Sequence, residues 1–466
     1  MRFTVREISL FERPVRLRLP FRFGAATLTE APQAFVRARI ETGKGASAIG
    51  GAAELMVPKW FDKTASTTND ENLAQLRASL ALARDSYLAG SANTAFGHFI
   101  DNYAPQIAMG TMQGMNSLVA CYGPALIDRA LLDALCRALG ISFFQAIAKN
   151  LPGIQAPGWQ ADLAAFDMDD FLFEMKPRGA LQARHTVGLL DPISAADARE
   201  RPSDGLPVTL EEVIARYGHR WFKLKLSGDT AADVERLAAI AAVLEGIEGY
   251  QCTLDGNEQY ADEQGILDLW RRIKAEPRLK RLASSIAFIE QPVRRQNALT
   301  ADMSELGEDK PVIIDESDDS LEAFPLARRH GYTGVSSKAC KGFYKSILNA
   351  ARCRLWNREE GAERYFMSAE DLTTQAGLAV QQDLALAALL GIPHVERNGH
   401  HYVNGMAGAL VSEQEAFLNA HPDLYERSHG VVRLRIERGM LQMTSLNGAG
   451  FASGALPDWS AMKEMA

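Results

Sequence analysis

Polar and apolar positions change period twice along the chain. Phe3 to Leu17 is rich in β-branched and alternating residues, Ala34 to Ile40 alternates by two, and Ala46 to Glu54 is a Gly/Ala-rich run after the turn Gly43-Lys44-Gly45. A period of two marks strands with one buried face, so the first fifty residues predict a small antiparallel meander, with Pro20 to Gly24 as a loop. From about Asn72 the apolar spacing becomes three and four. Leu126, Ile127, Ala130, Leu131, Ala134 and Leu135 share one stripe, with Asp128, Arg129 and Asp133 between them, and Gly140 stands where a helix ends. Leu151-Pro152-Gly153 reads as a boundary.

Beyond it, short apolar runs alternate with helical stretches: His185–Leu190, Trp221–Leu226, Gln251–Asp255, Ile286–Glu290, Val312–Asp315, Gly334–Ser337, Tyr365–Ser368 and His394–Glu396. That rhythm predicts an α/β chain built around a (β/α)-barrel. A doubly wound sheet gives the same alternation but usually carries a Gly-rich phosphate loop, and none is found. The expected organisation is an α+β domain over 1–150, a barrel over 151–421, and a tail from about 422 that completes the first domain. The run Val431 to Ile436 is expected to be the strand that pairs with it.

Composition narrows the function classes. The 466 residues are too many for one ordinary core, and 47% hydrophobic with 23% charged residues is a globular balance. A formal net charge of -8 without a basic stripe argues against nucleic acid as a partner. Five cysteines without CxxC spacing exclude a zinc ribbon and argue against a disulfide framework, which suits a reducing cytoplasm. No signal pattern opens the chain, and no apolar run nears the ~20 residues of a membrane span.

The candidate chemistry lies where polar residues interrupt the barrel strands, because functional groups in a barrel sit at the C-terminal strand ends. In Trp221-Phe222-Lys223-Leu224-Lys225-Leu226 the alternation puts Lys223 and Lys225 on one face, pointing inward. The next three strands end in Asp255, Glu290 and Asp315, with Glu316 as the alternative to Asp315. Carboxylates converging there repel without a cation, and oxygen-only ligands favour Mg²⁺, or Mn²⁺. Lys338 follows the sixth run, across the barrel from Lys225.

The ordered series K-x-K, D-x-N, E-Q-P, D-E-S and a strand-six lysine resembles the enolase superfamily, on its muconate lactonizing enzyme branch (the mandelate racemase/muconate lactonizing enzyme family). The resemblance covers nearly the whole chain and implies a modified TIM barrel with an α+β N-terminal capping domain. It implies Asp255, Glu290 and Asp315 as metal ligands, Lys225 and Lys338 as acid/base groups, Lys223 as a polarising group, and Asn257 with Glu316 just outside the ligands. It also implies that loops at Phe21 to Thr27 and Ala48 to Leu55 shape the pocket, with Phe21, Phe23 and Glu396 touching substrate. The chain departs from the family in extra sequence around Asp62 to Gly114 and Asp191 to Pro207. It also lacks paired glycines after Lys338.

The implied activity is metal-dependent abstraction of a proton alpha to a carboxylate through an enolate. The outcome would be racemisation or epimerisation, β-elimination, or cycloisomerisation, by an isomerase or lyase acting on a small carboxylate, in a homo-oligomer. A lysine of ordinary pKa ~10.4 would be helped toward its neutral, basic form by a nearby cation. The alternatives are a Schiff-base barrel lyase or aldolase, and a catalytically inactive barrel used as a binding protein.

Overall fold

The change of period translates directly into architecture. In the computed structural model, which describes residues 1–158, 160–199 and 201–465, strands β1 (Phe3–Phe23), β2 (Ala26–Thr42) and β3 (Ser47–Leu55) form an antiparallel meander. Ala34, Val36, Ala38 and Ile40 bury the face that the alternation predicts. Helices Asn69–Ala89 and Tyr122–Leu139 cover it, and Ala95–Met112 packs on both. Thr68 and Glu71 start the first as a capping box. Tyr122–Leu139 is buried along most of its length, and its approach to β3 depends on Gly50, where a Cβ would stand 2.2 Å from Ala130 O.

Two expectations for this region are corrected. Pro20 to Phe23 is the end of β1, and Gly24, at φ 52°, forms the hairpin tip with Ala25. Ala48 to Leu55 is no pocket loop: it lies within β3, with the stretch from Ala52 to Leu55 buried against the helices.

Eight parallel strands follow: β4 (Ala180–Val187), β5 (Trp221–Lys225), β6 (Gln251–Asp255), β7 (Ile286–Glu290), β8 (Val312–Ile314), β9 (Gly334–Ser337), β10 (Phe366–Ala369) and β11 (His394–Arg397). They neighbour one another in sequence order, and β11 pairs with β4 to close the barrel. The first strand starts before His185, because polar Gln182 and Arg184 mask its apolar alternation; Gly188 to Leu190 lie beyond its end.

The tail does not pair as expected. Val431–Leu434 (β13) pairs with Tyr425–Ser428 (β12). His429 and Gly430 between them both have positive φ, 48° and 78°, the pattern of a two-residue hairpin turn that brings the chain straight back. Met440–Gln442 (β14) runs antiparallel to β4, and only Lys463–Glu464 (β15) joins the N-terminal sheet, along β1.

Two apolar cores result. One joins the N-terminal sheet and helices to the β4, β10 and β11 side of the barrel, and the other fills the β5 to β9 side. The N-terminal region is therefore anchored to the barrel through shared core. Among the described residues no helix is long and apolar enough to cross a membrane, and all five cysteines are free and buried.

Candidate active site

Alternation along β5 turns Lys223 and Lys225 inward, as the pattern predicts. Lys223 Nζ sits among four carboxylates: 2.9 Å from Asp255 Oδ2, 2.7 Å from Glu290 Oε2, 2.8 Å from Glu370 Oε2 and 2.9 Å from Glu396 Oε2. Lys225 Nζ donates to Asp255 Oδ2 at 2.6 Å. Across the barrel, Lys338 Nζ donates to Asp315 Oδ2 at 2.6 Å, and Lys341 Nζ reaches Asp315 Oδ1 at 3.3 Å. Gln291 locks the β8 end by accepting from the backbone N–H of Asp315 (2.8 Å) and Ser317 (3.1 Å).

All these groups are buried, so their charges act on one another strongly. Burial pulls Lys223 toward neutrality, but Asp255, Glu290, Glu370 and Glu396 outweigh it and hold its pKa well above the usual lysine range. Burial opposes the charge of Lys338 too, yet Asp315 keeps that group above its ordinary value. Among the protein's own groups the carboxylates govern, and they favour ammonium at Lys223 and Lys338. Among the acids, burial opposes ionisation everywhere; Lys223 and Lys225 still bring Asp255 below its ordinary pKa, and Lys338 with Lys341 bring Asp315 well below. Burial, together with Asp255 and Glu370, pushes Glu290 well above.

The three expected ligands come from adjacent strand ends, and each is paired with an ammonium group. Among the described residues they do not form a set of donor atoms within 4.8 Å of one another; three histidines elsewhere do. The donor chemistry still fits a hard cation. Glu290 Oε2 lies near Lys223 but off the direction of a hydrogen bond, and it, Glu316 Oε2 and Asn257 Oδ1 are buried oxygens without a donor. Asn257 bridges the carboxylates: its backbone N–H donates to Asp255 Oδ1 at 2.8 Å and its Nδ2 to Glu316 Oε1 at 3.3 Å.

The N-terminal region closes the mouth. Phe21, Phe23, Val57 and Trp60 line one small cavity together with Lys225, Lys338, Asn257 and Glu396. Trp60 lies over Lys338, with 4.3 Å from Nζ to the ring centre, and Phe21 lies over Lys225 at 5.8 Å. The free space is about 20 Å³, room for little more than a water. Glu396 faces this cavity, although its oxygens are already engaged by Lys223, Thr186 Oγ1 and the Asp371 N–H. Arg295 clamps the Trp60 segment by donating to the carbonyls of Trp60 and Phe61, both at 2.8 Å. Lys63 donates to Glu316 Oε1 at 3.2 Å, so the extra sequence after Asp62 supplies a cation to the site.

Sequence reasoning missed Arg184, Glu370, Trp60 and Lys63. Arg184 donates to Thr253 Oγ1 and to Glu370 inside the barrel. Glu370 carries the same signal as the other acids, a carboxylate directly after an apolar strand, but the seventh apolar run ends at Ser368, one residue before the strand does. Trp60 and Lys63 reach the mouth through tertiary packing and carry no local signal.

The sequence model of the family described as "Enolase C-terminal domain-like" matches residues 207–453. The fold resembles a mandelate racemase/muconate lactonizing protein from Herpetosiphon aurantiacus, with 18% identity, TM-score 0.59, and 96% of this chain and 98% of that one covered. An enolase from alpha pretobacterium bal199 with bound Mg gives 17% identity and TM-score 0.61, covering 98% of each chain. The N-succinyl Arg/Lys racemase from Bacillus cereus gives 18% identity and TM-score 0.54, covering 87% of this chain and 89% of that one. No curated protein matches the chain.

Proposed function

The chain belongs to the mandelate racemase/muconate lactonizing enzyme family of the enolase superfamily, and from that membership we propose that it removes a proton alpha to a carboxylate and returns one to the opposite face. The reaction is then a racemisation or epimerisation of a small carboxylate. One observation carries this reading: Lys225 and Lys338 line the same cavity from strands four apart in the barrel, each with an aromatic ring over it.

Asp255, Glu290 and Asp315 are the residues that would hold Mg²⁺, or Mn²⁺, with Glu316 and Asn257 flanking them. When bound, the ion supplies positive charge beside the substrate carboxylate, which makes the α-proton more acidic. Lys338, kept as ammonium by Asp315, is the donor in this charge state, and Lys225 is the acceptor in that direction. Lys223 contributes a fixed positive charge. Phe21 and Trp60 exclude water from the Nζ atoms of both lysines, which strengthens every charge interaction in the cavity. Substrate entry requires the hairpin tip at Gly24 and the Trp60 segment to move, since the closed cavity is too small for a carboxylic acid.

The test is α-proton exchange in D₂O across acid sugars, dipeptides, N-acyl amino acids and betaines. The neighbour named an N-succinyl Arg/Lys racemase makes N-acyl amino acids the first class to try. Lys225→Ala and Lys338→Ala should each abolish turnover, while each keeps exchange of one enantiomer. If only one lysine matters, a single-base elimination takes its place. Near-normal activity in both variants refutes the proposal, and an imine trapped by borohydride would favour the Schiff-base alternative.

A further inference from the structure

A second cluster of chemistry-bearing side chains lies outside the barrel interior. Arg184 and Thr186 of β4 contact Thr253 and Glu396 inside the barrel. His185 between them therefore points to the outer wall. There it meets His219, just before β5, and His400 and His401, in the short helix Gly399–Tyr402 after β11. Ring centres are 5.3 Å apart for His185 and His219, 5.4 Å for His185 and His400, 5.4 Å for His219 and His400, and 5.1 Å for His185 and His401. All four are buried.

Their nitrogens lack partners. Among the described residues, His185 Nδ1, His219 Nε2, both ring nitrogens of His400 and His401 Nδ1 are buried without a hydrogen bond. A buried polar atom without a partner ordinarily costs about 1–3 kcal/mol, and here five sit in one place. For His219 the tautomer follows from chemistry. Its Nδ1 lies 2.9 Å from the Ala183 carbonyl, which can only accept, so Nδ1 carries the proton and Nε2 is a bare lone pair facing the cluster. A backbone carbonyl holding the far N–H is the arrangement that orients histidines on metal ions.

We propose that His185, His219 and His400 form a binding site for a late first-row divalent cation such as Zn²⁺, separate from the carboxylates at the barrel mouth. One nitrogen from each ring already lies within 4.8 Å of the other two. Tetrahedral Zn–N bonds of ~2.0–2.1 Å put neighbouring nitrogens roughly 3.4 Å apart, so these nitrogens need close in by at most about 1.4 Å. Three neutral imidazoles select such an ion over Mg²⁺, which prefers oxygen. Burial keeps the rings in the neutral, ligating form. The fourth position falls to water or to His401, whose Nε2 lies 4.0 Å from Asp191 Oδ2. The cationic neighbours are compensated: Arg18 pairs with Asp204, and Arg397 with Asp371 and Asp383.

Such a site would brace the mouth from behind. It ties Gly399–Tyr402 to the barrel wall, Tyr402 stacks on Phe21 at 4.3 Å between ring centres, and Phe21 covers Lys225.

The test is titration of the chelator-treated full chain with Co²⁺, read by its visible d–d absorption, with Zn²⁺ as competitor. One equivalent of tetrahedral Co²⁺ is expected, displaced by Zn²⁺ and unaffected by Mg²⁺. The signal should vanish in His219→Gln and His400→Gln but persist in Glu290→Gln, which alters only the mouth. Absence of the tetrahedral spectrum in the wild type, or its survival in both histidine variants, overturns the proposal. If the variants fail to fold, Zn X-ray absorption on the wild type decides. Three imidazole neighbours support the site, and fewer overturn it.

Discussion

Lys223→Met is the most informative single perturbation of the barrel mouth. The ammonium group is fully buried, with four carboxylates between 2.7 and 2.9 Å away. At an effective dielectric near 20, each contact is worth roughly 6 kcal/mol before desolvation and repulsion among the acids are subtracted. Removing one partner of a buried ionic cluster costs a net ~3–5 kcal/mol, partly relieved here because Glu290 can take up a proton. For a chain of this length the unfolding entropy converts 1 kcal/mol to about 1 °C, so the melting temperature should fall by ~3–5 °C in metal-free buffer. Mg²⁺ at about 100 times its Kd stabilises by ~2.7 kcal/mol, and it should recover about 3 °C in the variant. Thermal melts of both proteins with and without Mg²⁺ are the assay. A variant that melts within about 1 °C of the wild type and ignores Mg²⁺ refutes the charge reasoning.

Further outcomes follow from other sites. Gly50→Val drives a side chain into the Ala130 carbonyl and the Ala134 amide, 2.2 and 2.3 Å from the position of its Cβ. It should cost at least the ~1–3 kcal/mol of overpacking in a melt. Trp60→Leu removes the ring over Lys338 and should lower kcat by about 2- to 30-fold, the rate equivalent of a ~0.5–2 kcal/mol cation–π contact. Glu54 is driven by burial, against the pull of Arg129, from 4.5 to about 7. The folded state therefore binds a proton that the unfolded state releases, so this group's stability contribution is complete below pH 4.5 and is lost as pH rises through about 7. The loss is about 3 kcal/mol. Glu54→Gln should flatten that part of a stability–pH profile, and an unchanged slope would contradict it.

The strand ends carrying Lys223, Lys225, Asp255, Glu290, Asp315 and Lys338 were legible because each breaks an apolar run with a charge, and period two fixes which way it points. Glu370 obeyed the same rule and was lost to a boundary set one residue short of the strand end at Ala369. Arg184 was lost for a different reason: a charged residue buried inside a barrel makes its strand look polar. The Ala48 to Leu55 error came from the family resemblance, against the strand that the Gly/Ala-rich run itself predicts; its small residues permit a helix to lie against β3. The tail hairpin turned on the backbone of His429 and Gly430, a local signal outweighed by the expectation that a terminal strand returns to the first sheet. Trp60, Lys63 and the packing of His400 on His185 and His219 depend on contacts between residues more than a hundred positions apart, which periodicity along the chain does not encode.

The central claim is that the carboxylates at the ends of β6, β7 and β8 accept a hard divalent cation between the two lysines. Diffraction from a crystal soaked in Mn²⁺, collected at the manganese edge, tests it directly. The account predicts an anomalous peak bounded by oxygens of Asp255, Glu290 and Asp315, with Lys225 and Lys338 on opposite sides, and no such peak in Glu290→Gln. A wild-type crystal with no peak there, or with manganese only among His185, His219 and His400, would contradict it.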